Sequence, residues 1–306
     1  MQVVITIGDP AGCGPSITLG AIEQLKRTKA DFFVVGDQKI LKRFSLYKKL
    51  MRRIHLIDAQ TPKIGTVKNG YPSLLSGRAS LSYLAKALRV VRTMNIKRLI
   101  TAPISKEAVQ QIQPHFKGHT EYLARHFDVE NFAMMMVSRK IKIVLFTRHI
   151  PLRTAPSHIH KNSLLRVFSL VHDSLQKIFK LSHPKIAVAS FNPHAGINTF
   201  LDREERILQN ACKVFKKTLY GPLPADTLFT KDNLRYYDCI IALYHDQGMI
   251  PFKLLSFKEG VNLTVGLPII RTSPAHGVAY DVMKRNRKPF SSSMVEAIKL
   301  AMRLNI

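Results

Sequence analysis

Strand-like apolar runs and helix-like segments alternate along nearly the whole chain, and this alternation constrains the fold more than any other feature. "VVITI" gives way to "SITLGAIEQLKR", then "DFFVVG", a basic segment and "IHLID". A long helical pattern near 77–94 leads into "IKRLITA". Later come "FAMMMV" and "KIVLF", a helix near 163–180, "KIAVASF", a helix over 203–217, "CIIAL", and closing helices near 277–284 and 292–304. Strands separated by helices of this length predict βαβ units with largely parallel sheet. At 306 residues the chain can hold one large or two medium domains. The expected fold class is α/β, with a division near 130–140.

Composition narrows the function. No stretch approaches the roughly 20 uninterrupted apolar residues of a membrane span. The opening "MQVVITIGDP" lacks a charged region followed by an apolar signal core. Three widely spaced cysteines, Cys13, Cys212 and Cys239, read as reduced thiols, so a cytoplasmic protein is expected. A net charge of +27 suits a nucleic-acid or anionic-membrane binder. The densest basic run, "LKRFSLYKKLMRR" at 41–53, could form a basic amphipathic helix. Yet the basic residues spread over most of the chain, and no aromatics interleave with them as a stacking platform requires. A Lys/Arg-rich surface that favours anionic small substrates explains the charge with fewer assumptions.

Sequence-specific turns sit where strands end, which is where open α/β sheets place ligands. "TIGDPAGCGPS" (6–16) follows the first strand. Its glycines at 8, 12 and 14 do not make GxGxxG, and Pro15 stands where a P-loop has lysine. In "TAPISKEAV" (101–109), Ser105 is a natural helix cap beside Lys106. In "FKGHTEYLA" (116–124), Thr120 is a natural cap as well, and His119 just ahead of it could donate to an anion. Capped helices would account for both segments without any function.

Three histidines share one setting. His149 follows "KIVLF", His194 follows "KIAVAS", and His245 follows "CIIAL". One histidine after a strand is usually a polar loop residue. Three from three strand ends in one parallel sheet region can converge, giving the ligand number of a catalytic zinc-like site with open positions. Asp246 adjoins His245, and Asp226 follows the two prolines of "GPLPADTLF", where turn hydrogen bonding is its ordinary role. Lys253, Asn262 and Arg271 supply an ammonium, an amide and a guanidinium, a common composition for a phosphate pocket.

Together these motifs resemble the 4-hydroxythreonine-4-phosphate dehydrogenase family of pyridoxal phosphate biosynthesis. The likeness runs nearly end to end, through "GDPAGCGP", "GHTEYLA", "RHIPL", "NPHAG", "GPLPADTLF", "YHDQG" and "GVNLTVGLPIIRTSPAHG". It implies that His149, His194 and His245 ligate one divalent metal ion (Zn, Mg, Co or Mn). It implies that His119, Thr120, Lys253, Asn262 and Arg271 hold a small phosphorylated substrate, and that Asp226 and Asp246 are acidic catalytic residues. It further implies two α/β/α domains with largely parallel sheets, residues 1–135 with helices 282–306 packed on them and residues 136–281. The family is an NAD-dependent homodimer, with NADP a second candidate cofactor and the shared active site in a cleft between the domains. The implied reaction oxidises 4-phosphooxy-L-threonine to a 3-oxo acid, which decarboxylates to 3-amino-2-oxopropyl phosphate.

Two departures from the family pattern bear on the substrate. "INTFLDREE" replaces the usual glycine-rich, acidic continuation after "NPHAG", and Ser16 stands where glutamate is common. Relatives acting on other four-carbon phosphorylated hydroxy acids share most of these motifs. Two other classes remain open at this level. A phosphotransacetylase-like acyltransferase would need neither the histidines nor NAD. A nucleic-acid-binding protein without turnover would explain the charge but not the motif set.

Overall fold

The computed structural model describes residues 1–196 and 203–306. Of the altered segment 197–205, residues 197–202 lie outside the described residues. The α/β expectation holds: the chain forms two compact units, Met1–Asp128 with Leu267–Leu304, and Val129–Gly266.

The first unit is built on β1 (Gln2–Thr6), β2 (Asp31–Gly36), β3 (Ile54–Asp58), β4 (Arg98–Thr101) and β11 (Ile270–Pro274), numbered along the chain with the strands below. They lie in the order β3-β2-β1-β4-β11, all parallel. Residues Val3 to Thr6, Phe32 to Gly36 and Leu99 to Thr101 are all buried. Successive strand side chains point to opposite faces, so this unbroken burial means that both faces are covered. Helix Leu74–Thr93 packs on β1, β2 and β4, and helix Ser292–Arg303 packs on β4 and β11. The first of these begins earlier than its apolar spacing suggests, because Ser73 and Ser76 cap it reciprocally at 3.1 Å. Inside it, Gly77 allows the backbone of helix Lys106–Gln110 to approach. A Cβ there would lie 2.2 Å from the Ala108 carbonyl oxygen.

The second unit contains β5 (Ala133–Val137), β6 (Lys142–Leu145), β7 (Ile186–Ala189), β8 (Leu219–Leu223), β9 (Cys239–Ala242) and β10 (Val261–Val265). Their order is β10-β5-β6-β9-β7-β8. β5 runs antiparallel to both its neighbours, while β6, β9, β7 and β8 are parallel. The carboxyl ends of β6, β9 and β7 therefore open on one edge of this sheet. His149, His245 and His194 follow those ends.

Some elements differ from expectation for local reasons. The basic run 41–53 is not one helix but short turns, with helix Ser45–Leu50 followed by the 3-10 turn Met51–Arg53. Phe44 takes an extended conformation (φ −107°, ψ 125°) and breaks the helical path. Arg43 is held by the Val67 and Gly65 carbonyls at 2.8 and 2.9 Å, and Arg53 donates to the Thr28 carbonyl at 2.9 Å. Both cations tie loops together. β8 was not evident from sequence because Gly221 and Pro222 read as a turn; proline is tolerated there because β8 is the last strand in its order. No helix among the described residues is long and apolar enough to cross a membrane. All three cysteines are free and buried, and burial pushes their thiols up to about 12, which leaves them unreactive at neutral pH.

Candidate active site

In the second unit the histidine loops meet the start of helix His245–Ser256. The His149 and His245 rings are 5.5 Å apart and inclined at 42°. Both line a cavity of about 280 Å³ together with Thr147, Arg148, Tyr244 and Asp246. The His245 Nδ1 lies 2.7 Å from Asp246 Oδ1. A carboxylate can only accept there, so Nδ1 carries the proton and the Nε2 lone pair is left for a ligand. Asp246 is largely exposed, so the contact orients the ring more than it stabilises the fold.

The helix can start against the sheet because residue 248 is glycine. A Cβ at Gly248 would lie 2.8 Å from Leu145 and 2.9 Å from Ala242. His194 stands apart from the pair. It is exposed and left-handed (φ 55°) in the turn Pro193–Gly196, where the buried Ala195 is left-handed too (φ 54°). Among the described residues, no group of three His, Cys, Asp or Glu side chains is gathered closely enough to hold a metal. The structure thus brings two of the three expected ligands together. Two imidazoles over one cavity, one with its tautomer fixed by a carboxylate, suit a borderline divalent cation.

Asp226 is exposed on helix Ala225–Leu228, which lies against the turn carrying His194, and its Oδ1 accepts from the Thr227 N–H at 2.9 Å. Lys253 is half-buried two turns along from His245, with Nζ 5.2 Å from the Phe257 ring centroid; burial lowers its pKa. Asn262 on β10 keeps its Oδ1 buried without a hydrogen-bond partner among the described residues.

The remaining expected residues lie in the first unit. Arg271 on β11 is only 2 % exposed, and its Nη2 and Nε donate to Thr101 Oγ1 at 2.7 and 3.2 Å. Burial brings its pKa down from the usual guanidinium range to about 10, a change that nearby Glu121 opposes, so it stays charged at neutral pH. Helix His119–His126 begins at His119, with Gly118 at the cap position (φ 143°). Thr120, expected as the cap, is instead a buried residue of the first turn. The extended entry that a capping threonine needs is displaced onto Gly118, whose positive φ glycine accepts without strain. Ser105 does cap its helix, accepting from the Ala108 N–H at 3.1 Å.

The His119 Nε2 is buried without a hydrogen-bond partner among the described residues. Burial, then the charges of Arg271 and Lys106, hold its pKa well below 6.5. In the unfolded chain this histidine regains its ordinary value and binds a proton that the folded protein refuses. Stability should therefore fall as pH drops through 6.5 towards the depressed folded value. We expect His119→Gln to lose part of this acid sensitivity, measured as the pH dependence of the denaturant midpoint against wild type. Identical pH profiles would contradict a buried neutral His119.

The first-strand motif is accounted for mainly by packing. A Cβ at Gly8 (φ +69°) would come within 2.3 Å of the Pro103 carbonyl, and one at Gly14 within 2.0 Å of the Ile7 carbonyl. Buried Asp9 accepts from the Ala11 N–H at 2.8 Å and the Tyr280 hydroxyl at 2.6 Å. Two other buried polar side chains, Gln247 and Glu205, sit among the histidine loops and were missed from sequence. The available signal for Gln247 was its place three residues after the helix cap Tyr244, where glutamine commonly reaches back to the entering backbone.

Residues 28–301 match the family model described as "Pyridoxal phosphate biosynthetic protein PdxA". A 4-hydroxythreonine-4-phosphate dehydrogenase of Aquifex aeolicus is 39% identical over 311 residues, covering 96% of this chain and 95% of that protein. A D-threonate 4-phosphate dehydrogenase of Salmonella typhimurium is 35% identical over 323 residues, 99% of this chain and 98% of that one. The crystal structure of 4-hydroxythreonine-4-phosphate dehydrogenase from Klebsiella pneumoniae superposes with a TM-score of 0.84 at 31% identity, covering 98% of both chains.

Proposed function

We infer the activity from one premise: the chain belongs to the PdxA family of pyridoxal phosphate biosynthetic proteins. It is a dehydrogenase of that family. We propose that it oxidises 4-hydroxythreonine 4-phosphate with NAD, as a cytoplasmic enzyme. The observation that carries this reading is near-full-length identity of 39% to a relative so named. Removal of hydride and a proton from the secondary alcohol gives a 3-oxo acid, which loses carbon dioxide to leave 3-amino-2-oxopropyl phosphate.

His149, His194 and His245 are the residues that would hold a divalent metal, whose Lewis acidity, with NAD as hydride acceptor, supplies the redox chemistry. The chain's own groups do the rest. Asp246 fixes the His245 tautomer. Asp226, beside the His194 turn, is proposed to take the hydroxyl proton. Arg271, Lys253 and the Asn262 amide are proposed to hold the anionic groups of the substrate. His119 and Thr120 contribute uncharged contacts, since the imidazole is neutral.

A second substrate has specific support. Relatives named D-threonate 4-phosphate dehydrogenase match at 33% and 35% identity, close to the family's other members. The replaced sequence after Gly196 lies next to a proposed ligand. Side-by-side NADH production from 4-hydroxythreonine 4-phosphate and D-threonate 4-phosphate decides between them. Preference for the second by kcat/KM would overturn the substrate assignment and leave the reaction class standing.

We also propose a homodimer. Ile250, Leu254 and Phe257 are 59, 82 and 71 % exposed. Their spacing places them along one side of helix His245–Ser256 and its C-cap Phe257, with Lys253 on the same side. Three bare apolar side chains in a row are a surface that a partner covers. Wild type should sediment as a dimer at assay concentration, and Leu254→Glu with Phe257→Glu should sediment as a monomer with much reduced turnover. A fully active wild-type monomer would contradict this.

A further inference from the structure

The ladder between β6 and β9 ends at Leu145 and Ala242, and the described pairs between β7 and β9 end at Val188 and Ile241. All three histidines lie beyond those points. A short belt of buried polar contacts takes over. Thr147 donates to the Leu243 carbonyl through both its N–H (3.1 Å) and its Oγ1 (2.6 Å). The Leu243 N–H in turn donates to Gln247 Oε1 at 2.7 Å, and Gln247 Nε2 donates to the Ser190 carbonyl at 2.7 Å. Glu205 closes the far end: its Oε1 accepts from the Phe191 and Asn192 N–H groups at 2.8 and 2.7 Å.

His149 is two residues from Thr147, His245 two from both Leu243 and Gln247, and His194 four from Ser190. Gln247 is 8 % exposed and Glu205 fully buried. The amide carries an acceptor and a donor on one planar group, and so satisfies the Leu243 N–H and the Ser190 carbonyl together. We propose that Gln247 is a positioning residue: it ties the His245 loop to the His194 loop and so sets the gap in which the metal is held. Glu205 holds the His194 side of that gap. This rests on the metal reading above, and the test separates the two.

Outer partners of metal ligands typically change affinity by about 10- to 100-fold when removed. We therefore expect Gln247→Met, close in shape but lacking both hydrogen bonds, to weaken Co²⁺ binding about 10- to 100-fold by chelator competition. The visible absorption spectrum of bound Co²⁺ should change with it. A residue that only stabilised the fold would lower Tm and leave both readouts alone. Should Gln247→Met fail to fold, Gln247→Glu carries the same test, because it keeps the acceptor for Leu243 and loses the donor for Ser190. Wild-type Co²⁺ affinity and spectrum in either folded variant would overturn the proposal. Wild-type protein without saturable Co²⁺ binding would instead overturn the metal reading, and the proposal with it.

Discussion

His245→Ala is expected to lose on the order of 10³-fold or more in kcat/KM, since a bound metal supplies several kcal/mol of charge stabilisation. The loss should fall mainly on kcat, because the phosphate contacts that bind substrate are left in place. Asp246→Asn should cost less, about 10- to 100-fold, since it disturbs the ring's tautomer and not the ligand itself. The ranking follows from the geometry. His245 pairs with His149 at 5.5 Å over the cavity, whereas Asp246 reaches that ring through its Nδ1, the nitrogen turned away from a ligand. Steady-state kinetics with saturating NAD and metal read both variants. A milder loss in His245→Ala than in Asp246→Asn would contradict the assignment.

Arg271→Ala should reduce kcat/KM for the phosphorylated substrate by about 10- to 100-fold, matching the 1.5–3 kcal/mol typical of a charge-assisted hydrogen bond. Unphosphorylated 4-hydroxythreonine should be a poor substrate for wild type and lose little further in the variant. The phosphate is remote from the oxidised carbon, so its binding energy serves to position the alcohol, and the loss should be shared between kcat and KM. Arg271→Lys should also be impaired. Thr101 already engages both Nε and Nη2, and an ammonium cannot reproduce that fork. Because Arg271 is among the largest fully buried side chains, Tm must be measured alongside, and a drop in Tm is expected for Arg271→Ala. Equal losses on phosphorylated and unphosphorylated substrate would show that Arg271 serves the fold and not the phosphate.

The strand–helix alternation was legible because buried parallel strands read as short apolar runs, and β1, β2, β4 and β9 are buried along nearly their whole length. β8 was not, because its Gly221 and Pro222 carry turn chemistry in a strand position. The basic run 41–53 showed a helical pattern that tertiary contacts of Arg43 and Arg53 override. At the site, the histidines could be placed at strand ends by their positions after apolar runs. Their convergence could not, because it depends on pairing between segments nearly a hundred residues apart. Even so, the structure gathers His149 with His245 and leaves His194 in its own turn. Gln247 escaped notice because glutamine in an exposed-looking motif is ordinarily solvent-facing; its burial follows only from the approach of β7 to β9.

These strand-end histidines are proposed to serve a metal-dependent, NAD-linked oxidation of a phosphorylated hydroxy acid. The most direct test is NADH absorbance in purified protein given NAD and 4-hydroxythreonine 4-phosphate, before and after chelation and after adding back Co²⁺, Zn²⁺, Mn²⁺ or Mg²⁺. NADH formation should stop on chelation and return with at least one of these ions. NADH formation undiminished in rigorously metal-free protein would contradict that role.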